Sequence, residues 1–264
     1  MLRLFERLLV FPAPSTRGVE WNPPGLEFED VYFNADDGTK LHGWFVPQPN
    51  PPQPNPRAVV LYTHGNGEHM PRLADRLAEY QQRLGIAIFA WDYRSYGRSE
   101  GVPHEDNVIA DARTAQLWLA ERAQIDPQEV VLMGRSLGGA VTVQLASQHT
   151  VRGMILDRTF STLTDAAQHN VPLLPVKLIM RNRFASTEHI QNYHGPLLQM
   201  HGTADEVVPF AQGEKLFAAA PSKSKQFIQV NDWNHNGPIP DHCLDAMDKF
   251  IDCLLYTSPS PRDS

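Results

Sequence analysis

The stretch VVLMGRSLGGA, residues 130–140, decides the fold: an apolar run ends abruptly at Ser136, between Gly134 and Gly138. Residues 130–133 read as a short, fully buried strand, and Ala140 to Gln148 (AVTVQLASQ) as the helix that follows it. Ser136 then sits on the turn between them. A strand that enters a helix through so few residues has a cramped backbone, and the positions two before and two after the turning point must lack side chains. Gly134 and Gly138 meet that demand. The pattern fits either a nucleophilic serine at the carboxyl end of a sheet or a glycine-rich helix start with no chemical role. By itself G-x-S-x-G does not choose between them.

Working outward, other buried-strand runs alternate with helical patterns: AVVLYTHG then Met70 to Arg83, IAIFAWDY then Asn107 to Ala123, and GMILDRT. PLLQMHG then Phe210 to Ala219 follow, and last QFIQV then Pro240 to Asp252. Repeated strand-helix units of this length predict a mostly parallel α/β sheet with helices on both faces. Right-handed crossovers place every strand's carboxyl end on one rim. Before them, two alternating runs, Leu26 to Phe33 and Lys40 to Val46, flank Asp36-Asp37-Gly38 and predict an antiparallel hairpin. The tandem PQPNP PQPNP after it cannot supply ladder hydrogen bonds and reads as a stiff exposed loop.

The alternation breaks between Ser161 and His194, where Pro172 and Pro175 interrupt short helices above the rim. This cap-like segment is expected to form one wall of a cleft, made apolar by Val171, Leu173, Leu174, Leu178, Ile179 and Met180, unless these simply pack onto the sheet. The predicted organisation is an N-terminal segment over 1–25, one α/β domain over 26–252 including the cap-like 161–194, and a tail over 253–264. That tail, CLLYTSPSPRDS, leaves the helical pattern and matches a reading frame of a sequencing adapter, so it is read as non-native. Cys243 is then the one native cysteine.

Among 264 residues, 42% are hydrophobic and 20% charged, ample for a core. The net charge of -7, with no basic stripe, argues against nucleic acid as a partner. Two cysteines make no disulfide framework and fit a reducing, cytoplasmic setting. The start, MLRLFERLLVFPAPS, is too short and broken for a membrane span. It reads as a helix capping the domain edge, with peripheral membrane contact as the alternative.

A serine nucleophile needs a base, an acid that holds the base, and amides that receive the oxyanion. Asp205 follows the strand LLQMHG, and His235 lies in the Asn- and Gly-rich loop after the last strand. The chain order Ser136, Asp205, His235 is the one expected when the three hang from successive strands of such a sheet. His242 is the competing base, and Asp157, which ends GMILD, and Glu206 are competing acids. Asp157 is equally readable as a carboxylate paired with Arg158. In YTHGNGEH, Gly65 and Gly67 let the backbone approach a ligand, so the amides of Asn66 and Leu137 are the candidate oxyanion hole. His64 reads as a buttress of that loop. His64, Glu68 and His69 do not have the spacing of a zinc motif, and no metal is expected. DYRSYGRSEG reads as structural, with Asp92 and Arg94 holding the rim loops and Tyr93 or Tyr96 as weaker substrate candidates.

Taken in order, HGNGE, DYRSYGRSEG, GRSLGG, HGTADEVVP and WNHNG resemble the α/β-hydrolase superfamily over about Leu26 to Asp252. The likeness is greatest to its compact branch without a large cap, which includes serine-aminopeptidase-like and esterase-like members and relatives of protein depalmitoylases. It implies an eight-stranded sheet, acyl-enzyme chemistry on a small-molecule or acyl substrate, and no cofactor. The reaction expected is hydrolysis of a carboxylic ester or thioester. Amide or peptide hydrolysis is the enzymatic alternative, and a non-catalytic binding module of the same fold is the other. Two departures bear on pocket shape: Ser95 stands where glycine is usual, and LDRTF replaces a small-residue run.

Overall fold

The computed structural model describes residues 10–49, 57–171, 173 and 175–256, without the side chains of residues 177, 178 and 256. Residues 1–9, which carry most of the expected edge helix, lie outside the described residues, as do 50–56 of the proline repeat and 257–264 of the tail.

The strands are β1 (Glu29–Asn34), β2 (Lys40–Val46), β3 (Val59–Thr63), β4 (Ala87–Asp92), β5 (Val131–Arg135), β6 (Gly153–Asp157), β7 (Leu197–Gly202) and β8 (Lys225–Val230). They form one eight-stranded sheet in the order β1-β2-β4-β3-β5-β6-β7-β8. β2 pairs antiparallel with both neighbours, and every other pairing is parallel. The turn into β2 uses the expected glycine: Gly38 has φ +83° and its N–H donates to the Ala35 carbonyl.

The helices are α1 (Ala74–Leu84), α2 (Glu105–Ala123), α3 (Leu137–Gln148), α4 (Leu163–Asn170), α5 (Val176–Ile179), α6 (Ser186–His189), α7 (Phe210–Ala219) and α8 (Asp241–Tyr256). Strand residues alternate between two cores. Leu61, Phe89, Leu132 and Leu156 pack with Val108 and Leu119 of α2 and Val141 and Leu145 of α3. Tyr62, Ile88, Met133 and Ile155 pack on the other side with Leu77 of α1 and Met247 and Ile251 of α8. Long apolar runs, such as Ala87 to Trp91 of β4, are therefore buried on both faces.

Element ends differ from the sequence reading where caps and apolar spacing decide them. α2 begins two residues before the expected Asn107 because His104 accepts the Asn107 N–H while the Asn107 side chain accepts from the His104 N–H. α8 continues past the expected Asp252 because Met247, Ile251 and Leu254 keep one apolar stripe, and Leu254 is buried. The first residues of the presumed tail are thus helical.

The described residues expected to make the 161–194 segment an apolar wall differ in exposure. Leu173 is 97% exposed, Val171 and Ile179 are half-buried, and Met180 is buried. Leu174 and the side chain of Leu178 lie outside the described residues. α4 ends at Asn170 and α5 begins at Val176 with Pro175 at its N-cap, so Val171 and Ile179 belong to different elements. No helix of the described residues is long and apolar enough to cross a membrane.

Candidate active site

β5 ends at Arg135 and α3 starts at Leu137, so Ser136 alone makes the turn, with φ +52° and ψ -118°. A non-glycine residue held there is strained, and its surroundings fix it. The Ser136 N–H donates to the Asp157 carbonyl at 2.9 Å, and its carbonyl accepts from Thr159 Oγ1 at 2.7 Å. A Cβ at Gly138 would lie 2.0 Å from the Thr63 carbonyl oxygen, and one at Gly134 2.4 Å from that of Gly138. The two glycines are therefore required by close approach of backbones, not by positive φ.

The structure brings Ser136, Asp205 and His235 together. His235 Nε2 lies 3.2 Å from Ser136 Oγ, and His235 Nδ1 lies 2.8 Å from Asp205 Oδ2. All three residues are buried. Asp205 Oδ1 accepts the N–H groups of Val207 and Val208 at 3.0 and 2.7 Å, which aims Oδ2 at the imidazole. Burial pushes the Asp205 carboxyl up, but the hydrogen bonds from His201, His235 and the Val208 N–H outweigh it and hold the group well below the usual carboxylate range. An ionised carboxylate only accepts, so His235 Nδ1 is the donor in the contact with Asp205, and Nε2 is the ring nitrogen turned to Ser136 Oγ.

The rival residues lie elsewhere. Glu206 and His242 are exposed. Asp157 is buried but engaged: Arg158 Nε and Nη2 bond its two oxygens at 2.8 and 2.9 Å. Burial pushes Asp157 up, and the charges of Arg158 and Arg135 pull it below its ordinary value.

The loop after β3 faces Ser136, and a Cβ built at Gly65 would lie 3.6 Å from that of Ser136. His64 Nδ1 contacts the Gly65 carbonyl at 2.7 Å, and the Tyr93 hydroxyl donates to the His64 carbonyl. The Asn66 side chain donates to the Val10 carbonyl at 2.8 Å and accepts from the Tyr96 hydroxyl. Tyr93 and Tyr96 therefore hold this loop. Among the described residues, no acceptor engages the backbone N–H of Asn66 or of Leu137. Asp92 accepts from the Met70 N–H at 3.2 Å, and Arg94 bonds both oxygens of Asp111 and of Asp37, as expected of residues that brace the rim.

Four residues have supporting contacts that the sequence reading does not give them; it names Arg158 only as the partner of Asp157, which it is, and Glu68 only as a candidate metal ligand. His201 Nε2 lies 2.8 Å from the Val208 carbonyl and 3.4 Å from Asp205 Oδ2. Glu68 accepts the Gly65 N–H at 2.8 Å and pairs with Arg76 at 2.8 Å and Arg135 at 3.4 Å. Burial pushes Glu68 up, but the charges of Arg135, Arg76 and His64 prevail and bring it down to about 2. Arg135 and Arg158 both reach the loop that carries His235. Their only signal in the sequence is position: each adjoins a strand end already singled out.

The family model described as serine aminopeptidase, S33, matches residues 54–183, from the proline repeat through the serine turn into the cap-like segment. The uncharacterized protein YfhR of Salmonella typhi is 32% identical over 252 residues, which cover 89% of this chain and 85% of that one. An α/β hydrolase domain-containing protein of Arabidopsis thaliana, WAV2, is 28% identical over 86% of this chain and 79% of its own. In fold, the Pyrococcus furiosus esterase Pf2001 superposes with a TM-score of 0.74 at 18% identity, covering 91% of this chain and 98% of that one. An eight-stranded sheet with one reversed strand, a serine on its strand-to-helix turn, and these likenesses over most of the chain agree: it is a hydrolase that belongs to the α/β-hydrolase superfamily.

Proposed function

We propose that the protein is a serine hydrolase that cleaves a carboxylic ester or thioester through an acyl-serine intermediate. The supporting observation is the unbroken line from Asp205 Oδ2 through the His235 ring to Ser136 Oγ, with contacts of 2.8 and 3.2 Å. In this reading Ser136 Oγ bonds to the substrate carbonyl carbon as its proton passes to His235 Nε2. Asp205 stays ionised and stabilises the imidazolium. The N–H groups of Asn66 and Leu137 receive the oxyanion, each worth about 3 kcal/mol in the transition state. The carbonyl–leaving-group bond then breaks as Nε2 returns the proton to the departing oxygen or sulfur. Water repeats the attack with His235 as base, frees the acid and restores the serine hydroxyl.

A second reading, hydrolysis of an amide or peptide, draws support from the family model's description as a serine aminopeptidase. Purified protein assayed on a chain-length series of nitrophenyl esters beside aminoacyl anilides separates the two. The expected result is ester turnover, and covalent labelling by a fluorophosphonate, both abolished in Ser136→Ala. Turnover of the anilides alone favours the second reading. An intact, folded protein that neither turns over nor takes the label at Ser136 would leave a binding module of this fold.

A further inference from the structure

Two buried guanidiniums converge on the loop 234–237. Arg135 is 4% exposed and Arg158 is 1% exposed. Arg135 Nη2 donates to the His235 carbonyl at 2.6 Å and reaches Asn236 Oδ1 at 3.2 Å. Arg158 Nη1 donates to the carbonyls of Asn234 and Gly237, each at 3.0 Å, and its guanidinium lies 3.7 Å over the Trp233 ring. Each residue of the loop therefore offers one oxygen to one of the two arginines. Charge is balanced from beneath: Asp157 takes Arg158 bidentately and lies 3.8 Å from Arg135 Nε, and Glu68 faces Arg135 from the oxyanion-hole loop. Asp157 also accepts the Ser136 N–H through its carbonyl.

We propose that Arg135 and Arg158 are positioning residues: neutralised by Asp157 and Glu68, they fix the His235 loop to the ends of β5 and β6 and thereby set the imidazole between Asp205 and Ser136. The inference rests on the reading of His235 as the base. It also accounts for LDRTF, since a small residue in place of Arg158 would leave the carbonyls of Asn234 and Gly237 without this donor. The planar fork suits the task, because one guanidinium grips a carboxylate along one edge and donates to two carbonyls from the remaining nitrogen.

The test compares the full chain with Arg158→Met, Arg158→Lys and Arg135→Lys. Arg158→Lys keeps the charge opposite Asp157 but has a single nitrogen, so it covers the case in which Arg158→Met does not fold. Two readouts are taken on protein shown to be folded: kcat and KM on a nitrophenyl ester, and the low-field proton resonance of His235 Nδ1–H in its bond to Asp205. Expected are a kcat lowered about 100-fold, as for a base displaced by about an ångström, and a KM changed by no more than about twofold. The low-field resonance should broaden or vanish in the same variants. A resonance unchanged from the wild type, or a loss of kcat no larger than the loss of folded protein, would overturn the proposal. If the wild type turns over no substrate, the proposed reaction fails, yet the resonance still decides whether the arginines hold the imidazole.

Discussion

Ser95 shows what a single backbone angle carries. It is exposed and has φ +66°, a left-handed conformation costing an L-residue about 1–2 kcal/mol, at a position where the family resemblance leads one to expect glycine. Glycine removes that strain but has more unfolded freedom to lose. Ser95→Gly is therefore expected to stabilise by about 0.5 kcal/mol, raising the melting midpoint by about 1–2 °C without changing turnover; calorimetry beside an ester assay checks both. At this scale the sequence was most informative where chemistry and loop position coincide. Ser136, Asp205 and His235 each follow a strand, in an order that such a sheet makes meaningful. Arg135, Arg158, Glu68 and His201 were not legible as a group, because the contacts that join them to the site, from the two arginines to the 234–237 loop and from Arg135 to Glu68, span 67 or more residues, and spacing says nothing about contacts across loops.

Among elements, the loop after β3 depends most on charge. Glu68 holds the Gly65 N–H and pairs with Arg76 and Arg135. Its pKa in the folded protein, about 2, lies below its ordinary 4.5. The carboxylate thus stabilises the fold fully above about 4.5, and that contribution disappears as the pH falls toward 2. Glu68→Gln is expected to lower the melting midpoint near neutral pH and to flatten its decline across that acid window, as followed by circular dichroism at stepped pH. Element type was readable throughout, since unbroken apolar runs and helical periodicity are strong signals. Element ends were not: a histidine cap on α2 and one further apolar turn on α8 override the local composition that suggested the boundaries. The 161–194 segment was the least legible, because its proline-broken helices take their orientation from packing and leave Leu173 in solvent.

For the molecule as a whole, two cores share one sheet, and the central strands connect them. Leu132 of β5 is 1% exposed and packs against the α2 and α3 side, in a strand flanked by β3 and β6. Leu132→Ala is expected to cost about 3 kcal/mol and to lower the melting midpoint by about 10 °C. Thermal unfolding measured with Ile155→Ala of the opposite core should show a comparable loss. The topology was legible because parallel units leave few ways to connect, whereas the pairing of faces became plain only from which helices cover them. Ser136 is bonded through its own backbone to the end of β6, and the two guanidiniums tie the imidazole's loop to the same strand ends. Ser136 and His235 then ride together on a common chassis, and thermal breathing cannot part them without bending the sheet itself.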